Sequence, residues 1–365
     1  MFKRRILSLL WQNSSEIRSM ARITYLNSFP APNALEILAN CPEHEVVRIS
    51  GDDPIERSFE TLGRAHAYQC VGARDEVPVS LRVGTEFLSR APELLVVSAS
   101  GSGVDVFDLD ACTAAGVLAV NQAGANAQSV AEHALAMMIG VQRAITRADR
   151  VLRSGWQGSR LEFMGTDLAG KTVGIVGIGN IGTRLARICS GGFGATVLAT
   201  DPLVKASDIE RRGAQSATFD ELLQHADIVS VHTPLTSDTR GLFDADTFNR
   251  MKEGAVFINT ARGSIHDEDA LADALACGHL GGAGLDVWAV EPPQPDHRLM
   301  QMENVIATPH VAGCTSDSLR NMAEHAATQL LDIFSGKPAA RPVNPAVLPR
   351  FKERYVQIFG QSDGI

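Results

Sequence analysis

The stretch TVGIVGIGNIGTRLAR, residues 172–187, constrains the fold more than any other part of the chain. Gly177, Gly179 and Gly182 form G-x-G-x-x-G directly after a β-branched apolar run and directly before a helix-forming run. In a strand–turn–helix unit the first glycine permits the tight turn, and the second lets backbone approach a pyrophosphate. The third lets the helix pack closely on the strand. The first amides of that helix, at Asn180 and Ile181, offer unpaired N–H groups and positive dipole character to phosphates. The following strand, ATVLATD, ends in Asp201, placed where a carboxylate accepts ribose hydroxyls. That carboxylate repels a 2′-phosphate, and Pro202 stands where arginine often serves an NADP site, so NAD(H) is the expected cofactor. The bland alternative is a tight βα turn that binds nothing.

This pattern opens almost halfway along 365 residues, a length that suits about two domains. Upstream, RITYL, VVRIS, AYQCVG, LLVVSAS and GVLAVN read as strands, separated by helix-like ALEILAN, PIERSFETLG and GTEFLSR. Such alternation implies a parallel sheet with crossovers. Residues 126–153 read as one long amphipathic helix, with Asn126 as N-cap and Val130, Ala134, Met137, Met138 and Val141 at helical spacing. A second series supplies TVGIV, TVLAT, DIVSVH, AVFINT, GAGLDV and NVIATP, with helices around residues 181–190, 221–225 and 267–277. After Pro309 a helix is expected over residues 316–334, striped by Leu319, Met322, Ala326, Leu330 and Ile333, and then an irregular Pro-rich tail. The glycine domain is therefore expected as an insertion: residues 1–121 and 311–365 form an outer domain and residues 122–310 the inner one. Two α/β lobes joined in this way leave a cleft where a ligand binds and a hinge closes.

Composition narrows the partners. A net charge of −9 argues against nucleic acid or an anionic membrane, and 5% aromatic residues argue against a stacking platform for single strands. No run of about 18 apolar residues exists to span a membrane. The N-terminal MFKRRILSLLW has too short an apolar run for a secretory signal, so residues 1–19 read as a disordered or helical extension ahead of a domain starting near Met20. Six cysteines without a C-x-x-C pair read as reduced, mostly buried thiols of a cytoplasmic protein, and no metal site is expected.

Three ionisable residues lie just beyond strands of the second series: Arg262 after VFINTA, Glu291 after GLDVWAV and His310 after VIATP. Ligands of α/β sheets bind at that edge. Reducing a ketone requires an acid to protonate its oxygen, and histidine suits neutral pH. A carboxylate beside the imidazole holds it and favours its protonated form. Arginine offers a bidentate fork to the carboxylate of a 2-keto acid. The bland readings are a surface ion pair for Arg262, a strand terminator for His310 and a solvated acid for Glu291. The other histidines lack such a setting, and His133 and His325 read as structural. Asp286 ends the apolar run GAGLD, so its carboxylate needs a partner: the amide of a nicotinamide, or nearby backbone N–H groups.

VGIVGIGNIG, ATDP, HTPLTSDTRGLF, FINTARGSIHDEDAL, GLDVWAVEPP and TPHVAG together resemble the D-isomer-specific 2-hydroxyacid dehydrogenase family, as do NQAGANAQSVAEH and SGVDVFDLDA. The likeness runs from about residue 95 to 315. It implies an α/β chain of two doubly wound parallel-sheet domains, a Rossmann NAD-binding domain inserted into a flavodoxin-like substrate domain. It implies that Arg262, Glu291 and His310 are the substrate arginine, the supporting acid and the acid/base. Asp201, Thr233, Pro234, Thr239, Thr260 and Asp286 would line the NAD site, with Pro202, His232, Ala261 and Gly313 beside them. Backbone amides of Ser102 and Gly103, and Asn126 too, would contact the 2-hydroxy or 2-keto acid. The long helix after Asn126 is the family's usual homodimer contact.

Three departures stand out. Phosphoglycerate dehydrogenases commonly carry arginine in a G-R-A-G stretch, and Ala99 occupies that position, which weakens the case for a phosphorylated substrate. Glu291 stands where formate dehydrogenases place glutamine. His266 replaces the usual apolar residue of R-G-x-x-[VI]-D. An NAD(H)-sensing, corepressor-type interaction protein on the same fold is the alternative function. A nucleotide-dependent hydrolase is a weaker rival, because it gives no reason for Arg262 and Glu291 together.

Overall fold

The structure is a computed structural model, and it describes residues 20–74 and 76–360. The extension expected over residues 1–19 lies outside the described residues. The chain divides into two compact units, Met1–Ala125 with Leu319–Ile365, and Asn126–Ser318. These junctions differ from the expected 121/122 and 310/311, for local reasons. Gln122 still donates its backbone N–H to Gly101 and its side-chain amide to Ser98 and Ala99 in the first unit. Val311 and Ala312 donate to Asp286, and Thr315 bonds to Ser129, so the chain leaves the second unit only after them.

The first unit holds five parallel strands, β1 (Arg22–Leu26), β2 (Glu45–Ile49), β3 (Ala67–Cys70), β4 (Val96–Ala99) and β5 (Leu118–Val120), in the order β2-β1-β3-β4-β5. That order is the flavodoxin-like one. β3, β4 and β5 are buried along their whole length, as a sheet covered on both faces requires. The helix Ser316–Phe334 covers one face with Ala323, Ala326, Leu330 and Ile333.

The tail is not irregular. Buried Asn344 accepts from the Ala119 N–H and donates to Thr113 and Val117, and this anchors the returning chain beside β5. A helix, Leu348–Phe359, follows and buries Phe351 and Tyr355. Its start at Leu348-Pro349 uses a proline in the first turn, where no N–H is needed.

The second unit holds seven parallel strands: β6 (Thr172–Val176), β7 (Thr196–Thr200), β8 (Gln215–Ser216), β9 (Ile228–Val231), β10 (Val256–Asn259), β11 (Gly282–Leu285) and β12 (Val305–Ala307). The order is β12-β11-β10-β9-β6-β7-β8, so the direction of winding reverses between β6 and β9. Two-residue β8 carries too little apolar pattern to be read from sequence. The helix expected over residues 126–153 is two helices, Ala127–Gln142 and Ile145–Arg153. Ala144 adopts a left-handed φ of 49°, and the Gln142 carbonyl accepts from the N–H of Thr166. The chain at Gly165 closes over that carbonyl so tightly that a Cβ there would lie 2.0 Å from it. Apolar periodicity continues across the break, which is why the break was not legible.

Candidate active site

Because the sheet is parallel, the chain leaves β6, β9, β10, β11 and β12 at one edge, and the expected site residues follow those strands. Gly177 has a φ of 93°, and a Cβ on it would lie 2.8 Å from the backbone of His232 and Thr233. A Cβ on Gly182 would lie 2.3 Å from the Gly177 carbonyl, whereas one on Gly179 would meet nothing within 4 Å. The first and third glycines are thus demanded by the protein, and the second leaves open space at the first turn of the helix Asn180–Phe193. The Ile178 peptide is held from both sides. Its N–H donates to Asp201 at 3.1 Å, and its carbonyl accepts from Arg212 at 2.6 Å and Thr183 at 3.1 Å. Asp201 also accepts from the Leu203 N–H, which leaves each carboxylate oxygen a further lone pair. Open space at helix-start amides beside a carboxylate fits a dinucleotide.

His232 donates its backbone N–H to Val176 at the reversal of winding, and its ring meets Ser230 at 2.9 Å. Burial pushes the His232 imidazole down to about 3, so it is neutral. Thr233 and Pro234 follow, and the Thr239 hydroxyl donates to the Pro234 carbonyl at 2.7 Å, closing that turn. Thr260 is buried, and its hydroxyl has no partner among the described residues, a polar atom consistent with a ligand at this edge. Ala261 gives its N–H to Asn259. Asn126 precedes the helix Ala127–Gln142 and makes no side-chain cap to it; its amide lies against Gly313, where a Cβ would be 3.0 Å from it. In the first unit, Ser102 and Gly103 occupy the loop after β4, where the Ser102 carbonyl accepts from Asn121 and Gly72 packs against Gly103.

Glu291 and His310 meet. His310 Nδ1 stands 2.8 Å from one Glu291 oxygen, and the other oxygen accepts from the Trp288 N–H at 3.0 Å. The carboxylate raises the His310 pKa above its ordinary 6.5, outweighing burial and the charge of Arg262, both of which lower it. Burial pushes the Glu291 carboxyl up, but the hydrogen bonds from His310 and Trp288, with the charges of His310 and Arg262, carry it below its ordinary 4.5. Arg262 therefore bears electrostatically on both partners, while one of its terminal nitrogens donates to the Ala261 carbonyl at 2.6 Å.

His310 has a left-handed φ of 56°. For a residue with a Cβ that conformation costs about 1–2 kcal/mol, so its surroundings must impose it. Asp286 does so. The Asp286 carbonyl accepts from the His310 N–H at 2.7 Å, and its carboxylate accepts from Thr308, Val311 and Ala312. Asp286 has no exposed surface, and these backbone and hydroxyl donors satisfy its buried carboxylate. His133 supports the same clamp through Thr308 at 3.1 Å. Thr308 and Asn259 were not singled out for the site, because neither has a sequence signal apart from the strand end it adjoins, and His133 read as a structural histidine within a helix.

A cavity of about 340 Å³ lies at the opposite edge of this sheet, lined by Gln142, Arg147, Gly254, Gly281, Glu303 and Asn304 among others. Its Arg147–Glu303 pair neutralises itself at 2.9 Å. Among the described residues no cluster of histidine, cysteine and carboxylate side chains could hold a metal, and no helix is long and apolar enough to cross a membrane.

A glycine turn at the reversal of a seven-stranded parallel sheet is the arrangement of a nucleotide-binding α/β protein, and here an acid, an imidazole and a guanidinium follow its other strands. Residues 135–312 match the family model described as D-isomer specific 2-hydroxyacid dehydrogenase, NAD binding domain. The chain belongs to that family, and its second unit carries the NAD-binding domain. It is 37% identical over 292 residues to D-3-phosphoglycerate dehydrogenase of Archaeoglobus fulgidus, which covers 80% of this chain and 54% of that protein. A solved structure from Thermus thermophilus superposes with a TM-score of 0.75 at 32% identity, covering 88% of this chain and 99% of that one. The D-lactate dehydrogenase of Aquifex aeolicus, solved with NAD and lactic acid, gives a TM-score of 0.71 at 28% identity over 86% of this chain and 95% of that one. The chain spans about half the length of the curated relatives it matches.

Proposed function

We propose that the protein is an NAD-dependent oxidoreductase interconverting a small 2-keto acid and its D-2-hydroxy acid. The observation that carries this reading is the 2.8 Å pair of His310 and Glu291, with the charge of Arg262 bearing on both, at the sheet edge that holds the glycine turn. Gly177, Gly179, Gly182, the amides of Asn180 and Ile181, and Asp201 would hold the dinucleotide. The nicotinamide, when bound, donates or accepts the hydride. His310 gives its Nδ1 proton to Glu291 as a hydrogen bond, so Nε2 is the nitrogen that protonates the substrate oxygen on reduction and takes that proton back on oxidation. Arg262 orients the substrate carboxylate and carbonyl through its planar fork. Asp286 keeps the imidazole in its left-handed backbone position.

The name of the Archaeoglobus relative brings a phosphorylated acid into consideration. Ala99, fully buried at the end of β4, puts no cation where the family's substrate-loop arginine would stand, and this favours an unphosphorylated acid. The six cysteines form no C-x-x-C pair, which supports a reducing, cytoplasmic setting. An exposed apolar face beside the helix Ile145–Arg153 supports a homodimer.

The test is NADH consumption with glyoxylate, hydroxypyruvate, phenylpyruvate and phosphohydroxypyruvate. Turnover is expected on at least one, with kcat/KM reduced about 10²- to 10⁴-fold in His310→Ala and in Arg262→Ala. Tight NADH binding without turnover on any keto acid rejects the enzyme reading in favour of an NAD(H)-sensing protein.

A further inference from the structure

One buried histidine at this edge takes no part in the chemistry above. His266 ends the turn that begins at Arg262, stands where the family pattern places an apolar residue, and is buried against Phe257, with ring centroids 5.5 Å apart. Its neighbour Asn259, also buried, ends β10. The Asn259 amide has three partners. Oδ1 accepts from the Ala261 N–H at 2.9 Å, Nδ2 donates to the Arg262 carbonyl at 2.9 Å, and Nδ2 lies 3.1 Å from His266 Nδ1. The first two fix the amide's orientation, because a backbone N–H only donates and a carbonyl only accepts. Nδ2 must therefore donate to His266 as well, and His266 Nδ1 must be bare. The ring proton sits on Nε2, which is buried without a partner among the described residues.

Protonating Nδ1 would set two donors against each other. Burial works in the same direction and pushes the ring down to about 4, with the charge of His297 lowering it and Asp267 and the Gly263 backbone raising it. A valine here would leave no orphaned N–H. Keeping one is destabilising, and a group that is kept at a stability penalty invites a functional account. The braced turn also bears on the acid. A Cβ at Gly263 would fall 1.9 Å from the Trp288 carbonyl carbon, so the turn presses on the residue whose N–H holds Glu291.

We infer that His266 is a positioning residue. Its bare Nδ1 locks the Asn259 amide, and through Asn259 the main chain at Ala261 and Arg262, in the arrangement that aims the guanidinium at the substrate carboxylate. This inference rests on the dehydrogenase reading.

The test compares His266→Val with His266→Asn in the full chain. Valine keeps apolar packing and removes the acceptor. Asparagine gives up ring volume but keeps an acceptor near the place of Nδ1. The expected result is a KM for the keto acid raised about 10-fold in His266→Val, with kcat changed much less, unchanged NADH affinity and an undiminished Tm. His266→Asn is expected to have a lower Tm and a KM near that of the unsubstituted protein. In an Arg262→Ala background, His266→Val should add nothing further. A KM that follows Tm across the variants, or an additive effect in the double variant, overturns the inference. If the unsubstituted protein turns over no keto acid, the functional reading fails by itself. The brace is then judged by nitrogen NMR of His266, where a proton on Nδ1 at neutral pH overturns it.

Discussion

The pair of His310 and Glu291 is defined by one short contact, and its pH behaviour follows from the directions of the two shifts. The His310 pKa lies above 6.5 because of Glu291, and that of Glu291 lies below 4.5 because of His310 and Trp288. The stabilisation from the raised imidazole is complete below its ordinary value and is lost as pH rises through the folded value. That from the depressed carboxyl is complete above its ordinary value and is lost as pH falls through the folded value. The pair therefore contributes fully between about pH 4.5 and 6.5 and fades on both sides. In the proposed mechanism reduction uses protonated His310, so kcat/KM for a keto acid should fall as pH rises through the raised His310 pKa. Glu291→Gln removes the group that raises His310, leaving burial and Arg262 to lower it. The high-pH limb should then move to lower pH, with reduction at pH 7 about 10- to 100-fold slower. A pH–rate profile whose limb stays in place would falsify the pairing of these two residues as the source of the titration.

At the scale of elements, legibility followed the strength of the local signal. Six of the strands in the glycine unit were expected, because each is a short apolar run, most of them β-branched, bounded by turn residues. The two-residue β8 was missed, since it borrows its pairing from β7. The glycine turn was readable to the residue, because close approach at Gly177 and Gly182 admits no side chain. The clamp on His310 was not, because nothing along the chain says that Asp286 and residues 308–312 come together. The C-terminal helix was hidden by the prolines around it, although its apolar spacing, Phe351, Tyr355 and Phe359, was present. Tyr355 reaches across to donate its hydroxyl to the Phe334 carbonyl at 2.9 Å and stacks against Phe359. Tyr355→Ala should remove about 3–5 kcal/mol from the first unit. Urea unfolding should then show an earlier first transition while NADH fluorescence reports an intact second unit. Loss of NADH binding in step with that transition would show that the helix supports more than its own unit.

At the scale of the whole molecule, four of the exposed apolar side chains of the second unit fall on one helix and the turn that follows it. Ile145 and Leu152, 52% and 67% exposed, are two turns apart on one face of the helix Ile145–Arg153. Leu161 and Met164, 74% and 80% exposed, follow on the turn after it. Arg147 ties that turn to the helix by donating to the Glu162 carbonyl and lying 5.5 Å from the Phe163 ring centroid. Met164 and Arg147 also line the cavity at the amino-terminal edge of the sheet, so the apolar face and that cavity adjoin. Exposed apolar side chains grouped in this way suit an interaction site, and a stable one buries on the order of 1,000 Å² or more. A second copy of the chain, presenting the same face, is the occupant the proposed homodimer requires. Leu152→Asp puts a charge at the centre of that face, far in sequence from the glycine turn and from His310. Light scattering should give a dimeric mass for the unsubstituted protein and a monomeric mass for Leu152→Asp at micromolar concentration, with NADH affinity preserved. A monomeric mass for the unsubstituted protein at high concentration would remove the reason for this face to be apolar on the dimer account.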